Sequence, residues 1–167
     1  PSKTNPTRVW VADTFANRLR GLDFTTGDIL ELGSAETPQG IVIHEGAALS
    51  MGFSDTITRT PLDSGTSAEF YNGFGGTFAS PLVIGNEMIY AELERESIRG
   101  LLLDTLTDRL VAGPEQPRGN IDGTGTDVRF AQITDLVAAQ DGSWAIIADG
   151  GNSSLRRVRF TPGAPAV

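Results

Sequence analysis

The chain has 167 residues, 39% of them apolar and 20% charged, with 20 glycines and 9 prolines spread along its length and no cysteine. Its net charge of -8 opposes a nucleic-acid partner, because phosphate binding draws its affinity from clustered Lys and Arg. The lack of cysteine excludes disulfides and thiolate metal sites, and no stretch reaches the ~20 apolar residues of a membrane helix, so no membrane span is expected.

In chain order, Val9-Trp10-Val11-Ala12-Asp13 is the first strand-like run, followed by Arg20-Gly21-Leu22 and Leu32-Gly33. From Val9 to Met88, an offset of 79, the pattern returns as Met88-Ile89-Tyr90-Ala91-Glu92, Arg99-Gly100-Leu101 and Val111-Ala112. From Val9 to Ala145, an offset of 136, it returns again as Ala145-Ile146-Ile147-Ala148-Asp149 with Leu155-Arg156-Arg157-Val158. The first offset is about twice a repeat unit of ~40 residues, so a weaker copy is expected in between. Leu49-Ser50-Met51-Gly52-Phe53 with Leu62-Asp63-Ser64-Gly65 fills that place, aligned so that Phe53 replaces the acid. The longer step from the third copy to the fourth is absorbed by residues 114–130, whose Gly, Pro and Asp content reads as a surface loop.

Within each copy, short apolar runs alternate with turn residues and no window sustains a helical period, which predicts small antiparallel sheets and an all-β chain. Thr25-Thr26-Gly27-Asp28 and Gln140-Asp141-Gly142-Ser143 read as hairpin turns, where Gly supplies a positive φ. Ile41-Val42-Ile43, Leu82-Val83-Ile84 and Leu136-Val137-Ala138 are the predicted inner strands.

These units resemble the NHL repeat, a β-propeller blade whose first strand ends in Ala-Asp and is followed by an Asn-Arg pair. Val9 to Asp13 with Asn17-Arg18-Leu19-Arg20 carries the resemblance, as do Asp122-Gly123-Thr124-Gly125 before Arg129-Phe130, and Phe78-Ala79-Ser80-Pro81. The resemblance implies a single partial β-propeller over residues 1–167, with NHL-like four-stranded antiparallel blades near 8–34, 39–74, 78–113 and 131–162. The first unit lacks an inner strand and the last an outer one, giving strand counts of three, four, four and three, so the propeller is incomplete within this chain. The start at Pro1 without an initiator Met agrees with a segment of a longer or processed product. A secreted or cell-surface location as part of a larger protein is the expected setting.

Candidate interaction or blade-lock residues are Asp13 and Asp149 at matching strand ends and Arg20, Arg99 and Arg156 at matching positions one strand on. The arginines suit carboxylates, either in a partner or in an adjacent blade. Asp13, Asp149, Asn17 and Asn152 offer hard oxygens for calcium, but turn-capping is the reading adopted. Asn152-Ser153-Ser154 fits the N-glycosylation pattern. His44 is the only histidine, no Gly-x-Ser-x-Gly elbow occurs, and 122–127 lacks both the terminal Glu of an EF-hand and the Lys of a P-loop. No catalytic, cofactor-binding or metal-ligating residue is therefore assigned, and no cofactor is expected. The expected function is a non-enzymatic scaffold that binds a protein partner or self-assembles through open sheet edges and rim loops, with a glycan as a further candidate ligand. The alternative is a metal-dependent hydrolase or lyase of the six-bladed propeller type whose active site lies mostly outside this segment.

Overall fold

The computed structural model describes residues 7–73, 76–113, 117–139 and 141–160. Gln140 of the second predicted turn, Phe74 at the end of the second predicted blade, 114–116 of the predicted loop, and 161–162 of the fourth blade lie outside them, as does the chain start.

The chain folds into two compact units, Pro1–Thr77 and Phe78–Val167. In the first unit, sheet 1 holds β1 (Arg8–Asp13), β2 (Arg18–Asp23) and β3 (Ile29–Ser34), and sheet 2 holds β4 (Pro38–His44), β5 (Ala47–Gly52), β6 (Thr56–Pro61) and β7 (Ala68–Asn72). In the second, sheet 3 holds β8 (Phe78–Ile84), β9 (Glu87–Glu92), β10 (Ser97–Leu102) and β11 (Thr107–Ala112), and sheet 4 holds β12 (Ile133–Ala138), β13 (Trp144–Asp149) and β14 (Ser154–Arg159). Among the described residues every strand pairing is antiparallel between chain neighbours, and no sheet is closed. The predicted inner strands fall within β4, β8 and β12, and among the described residues the strand counts are three, four, four and three. Gly27, at φ 78, closes the predicted turn between β2 and β3.

Paired residues share a face, so each sheet has two definable sides. One side, here the leading face, carries Val9, Val11 and Leu22 in sheet 1, and Met88, Tyr90 and Leu101 in sheet 3. In sheet 4 it carries Ala145, Ile147 and Val158. The opposite side is the trailing face. In the first unit the trailing face of sheet 1, through Trp10 and Leu19, packs against Ile41, Ile43 and Ala48 on the leading face of sheet 2. The second unit repeats the arrangement: Leu82, Ile89 and Ile98 pack against Leu136, Ala145 and Ile147. Burying such a Leu or Ile side chain stabilises by roughly 1.5–3 kcal/mol, which makes these two layers the core of each unit.

The outer strands β3, β7 and β11 each carry one register shift that leaves a single apolar residue unopposed, namely Leu32, Phe70 and Val111. Leu32 and Val111 are buried there, so the bulge turns an extra side chain into the core.

Register also corrects the second repeat copy by one residue. β5 pairs Pro38 with Gly52 after a shift, just as β13 pairs Asp149 with Ile133 after a shift, so Gly52 and not Phe53 stands where the acid is. A Cβ on Gly52 would lie 2.0 Å from the Thr37 carbonyl oxygen. The backbone of Thr37 has taken the space that a side chain fills in the other sheets. Its N–H is held in turn by Asn17 Oδ1 at 2.8 Å.

Candidate functional site

The acid that ends the second strand of sheet 4 is held by four donors. Asp149 is fully buried, and its Oδ1 accepts the N–H groups of Ala131 at 3.0 Å and Gln132 at 3.4 Å, just ahead of β12. Its Oδ2 accepts Asn152 Nδ2 at 2.8 Å and Arg156 Nη1 at 3.3 Å. Burial works against the charged form, but the donors from Ala131, Asn152, Gln132 and Arg156 outweigh it and hold the carboxyl below its ordinary value.

A lowered carboxyl pKa contributes stability that is present above the unfolded value of about 3.9 and is lost as pH falls below it through the folded value. Asp149→Asn is expected to cost roughly 2 kcal/mol at neutral pH, because its amide turns a donor toward Asn152 or Arg156. Urea titrations across the acid range should show the gap between wild type and variant closing below about pH 3.9. A gap that stays constant with pH would refute the assignment.

Arg156 links this acid to the loop that precedes β12. Its side chain is 10% exposed. Nη1 also donates to the Arg129 carbonyl, Nη2 donates to the Ile121 carbonyl at 2.7 Å and to Asp122 Oδ1 at 2.6 Å, and the guanidinium lies 4.8 Å from the Phe130 ring centroid. The planar fork of Arg serves these divergent acceptors in a way no point charge does. Residues 117–130 are thereby tied across to β14, and the space between them is a cleft of about 480 Å³ lined by Ala112, Asn120, Asp122, Phe130, Ser154 and Val158.

Sheet 3 builds its own network around Arg99. The guanidinium forks onto Asp108, with Nε at 3.2 and 3.1 Å from the two carboxylate oxygens, and lies 3.6 Å from Glu92. Tyr90 donates its hydroxyl to the same Asp108 at 2.6 Å. Burial, then the Asp108 carboxylate, push the Tyr90 hydroxyl up, so it remains a donor. Glu92, also buried, accepts Ser97 Oγ at 2.9 Å and pairs with Arg95 at 3.0 Å. In sheet 1, Arg20 and Asp13 form an ion pair at 3.2 Å, and both side chains are about a third exposed.

All three arginines thus meet acids of their own sheet or of the loop leading into it. Asn17 and Asn152 do not play matching parts. Asn17 adopts a left-handed conformation at φ 55, and the residue equivalent to it is Ser153, at φ 50. Asn152 donates both amide hydrogens, one to Asp149 and one to the Gly119 carbonyl at 2.8 Å, so a sugar on that nitrogen would displace one of them. His44 ends β4 and lies 3.8 Å from Glu45. Among the described residues, no group of three or more His, Asp or Glu is placed to hold a metal ion.

Sequence reasoning missed Tyr90, Asp108, Asp122 and Phe130 as members of these networks. The signal for Asp108 was present, since an acid on the next strand, diagonal to an Arg on the same face and opposite Leu101, lies within reach of that long side chain. Asp122 and Phe130 carried none, because their partner is 34 and 26 residues away across a hairpin.

No protein-family model matches the chain, and no curated protein sequence matches it. Solved structures do. An auxiliary nutrient binding protein from Bacteroides thetaiotaomicron superposes with a TM-score of 0.71 at 16% identity, covering 89% of this chain and 40% of its own. A chain of the nidogen/laminin complex gives 0.72 at 13% identity, covering 95% and 58%. A protein assigned provisionally as a gluconolactonase gives 0.70 at 11% identity, covering 96% and 58%. The chain therefore spans about half the length of these structures or less. They share its fold: the chain is all-β, an incomplete β-propeller of antiparallel blades.

Proposed function

We propose that this chain is a non-enzymatic scaffold built of NHL-type blades, and that its task is to bind a protein. One observation carries the reading: the acids and arginines that recur from blade to blade are engaged in holding strands and loops, while the trailing face of sheet 4 presents exposed apolar side chains. On that face Val137 is 62% exposed and Leu155 is 77% exposed, with Trp144 beside them. Contiguous apolar side chains on a rigid sheet are the usual mark of a protein contact. The nutrient-binding protein and the nidogen/laminin chain among the structural neighbours agree with a binding role. The second reading, a metal-dependent hydrolase or lyase, draws on the gluconolactonase neighbour and needs ligands from outside this segment.

A photo-crosslinking residue at Leu155 separates the two. In the native host it should yield a discrete protein adduct, whereas the same residue at the exposed turn position Thr105 should yield none. Purified protein should show no lactone hydrolysis with calcium or manganese added. Metal-dependent lactone turnover without an adduct at Leu155 would reverse the conclusion.

A further inference from the structure

The recurring arginine stands at one place in three sheets, opposite the residue two before the strand-ending acid: Arg20 opposite Val11, Arg99 opposite Tyr90, Arg156 opposite Ile147. In sheet 2 the same row pairs Ser50 with Thr58, and Thr58 in turn with Glu69 on the next strand. Thr58 therefore occupies the place of the arginine. Its neighbour Arg59, opposite Leu49, belongs to the other face of the sheet.

Losing the arginine would be the simple counterpart of losing the acid at Gly52, but the two spaces are filled differently. The space of the acid holds the main chain of Thr37. The space of the arginine opens into a cleft of about 370 Å³ between sheets 1 and 2 of the first unit, lined by Asn17, Ser34, Glu36, Thr58, Ser67 and Glu69. Next to Ser34 the two sheets touch, because a Cβ on Gly33 would lie 2.5 Å from Ser67 Oγ and 2.8 Å from the Gly65 carbonyl oxygen.

The groups around the cleft suit a cation that carries several N–H donors. Glu36 and Glu69 are exposed and form no ion pair among the described residues. Ser50 is 2% exposed, and its buried hydroxyl has no hydrogen-bond partner among them, a costly state for a polar group at that depth. The counterpart of Ser50 in sheet 3, Tyr90, donates to Asp108, the carboxylate that Arg99 grips. Ser50 thus stands beside the place that a guanidinium takes in sheet 3.

We infer that this cleft takes a guanidinium group supplied from outside the chain, the arginine side chain of a protein that binds here, in the place that Arg20, Arg99 and Arg156 fill in their own sheets. The planar fork has N–H groups for two carboxylates and an inner hydroxyl at once, a set that the point charge of a lysine matches poorly. The inference goes beyond the scaffold reading and does not rest on the sheet 4 face.

The probe is Nα-acetyl-arginine amide, titrated into isotope-labelled protein. Amide resonances of Ser50, Thr58 and Glu69 should shift and saturate with a Kd of about 1 mM, as suits so small a ligand. Nα-acetyl-lysine amide should bind roughly fivefold more weakly. Glu36→Gln with Glu69→Gln, both at exposed positions, should weaken arginine binding about tenfold. Thr58→Arg supplies the missing side chain from within, so it should abolish binding and raise Tm by about 4 °C, with circular dichroism checking that the fold is kept. No saturable shift at these amides, equal binding of the two probes, or undiminished binding by either variant would each overturn the inference. The tripeptide Gly-Arg-Gly should bind no more weakly than the amide; its exclusion would overturn the assignment to a protein and leave a small guanidinium ligand.

Discussion

Replacing Arg156 by Ala is expected to destabilise the second unit by about 3 kcal/mol, a fall in Tm of about 10 °C, because it leaves a buried carboxylate without its cation. The loss is larger than for a surface pair because Asp149 is fully buried and Arg156 nearly so. The same substitution removes the donors to the Ile121 and Arg129 carbonyls and the contact with Phe130. Amide hydrogen exchange should therefore accelerate across 119–130 well before global unfolding. Arg156→Lys keeps the charge but reaches only some of these acceptors, and should recover less than half of the lost stability. Unchanged protection in that loop would show that it is held by something other than the guanidinium.

The second large effect runs against what the repeat suggests. Gly52→Asp restores the acid that the other three sheets carry at this position, and it should cost about 3 kcal/mol or more. The new Cβ would meet the Thr37 carbonyl oxygen at 2.0 Å and the Gln39 nitrogen at 2.9 Å, both backbone atoms that cannot swing aside. A carboxylate there also faces a carbonyl, acceptor against acceptor. Gly52→Ala should cost slightly less, and Phe53→Asp, at a residue 56% exposed, should stay within about 0.5 kcal/mol of wild type. Chemical denaturation of the three variants ranks them directly, and a stabilised Gly52→Asp would show that Thr37 moves freely.

The same position marks how far the fold was legible. Offsets of 79 and 136 between Val9, Met88 and Ala145 were visible because each copy repeats the same side chains at the same heights of a strand. The strand count of three, four, four and three among the described residues followed from that register. The second copy was misaligned by one residue because its acid has been replaced by main chain, and main chain leaves no letter in a sequence. The networks were only half legible for a related reason. Asp13, Asp149, Arg20, Arg99 and Arg156 stood out as recurring residues, but their partners Asp108, Asp122 and Phe130 do not recur. Which acid an arginine meets depends on where a loop returns, and loop paths are set by packing rather than by period.

One consequence of the strand order concerns the path to the folded state. Because every strand pairs with its chain neighbour, sheet formation needs only short loops to close, and short closures are fast and entropically cheap. The slower events are then the face-to-face layers of each unit, which join residues far apart in sequence, such as Leu19 with Ala48 and Ile89 with Ile147. Deleting a whole blade should remove one layer contact and leave the other hairpins intact, whereas a cut inside a blade severs a sheet. Natural or engineered variants of such a chain are therefore expected to gain and lose length in steps of one blade.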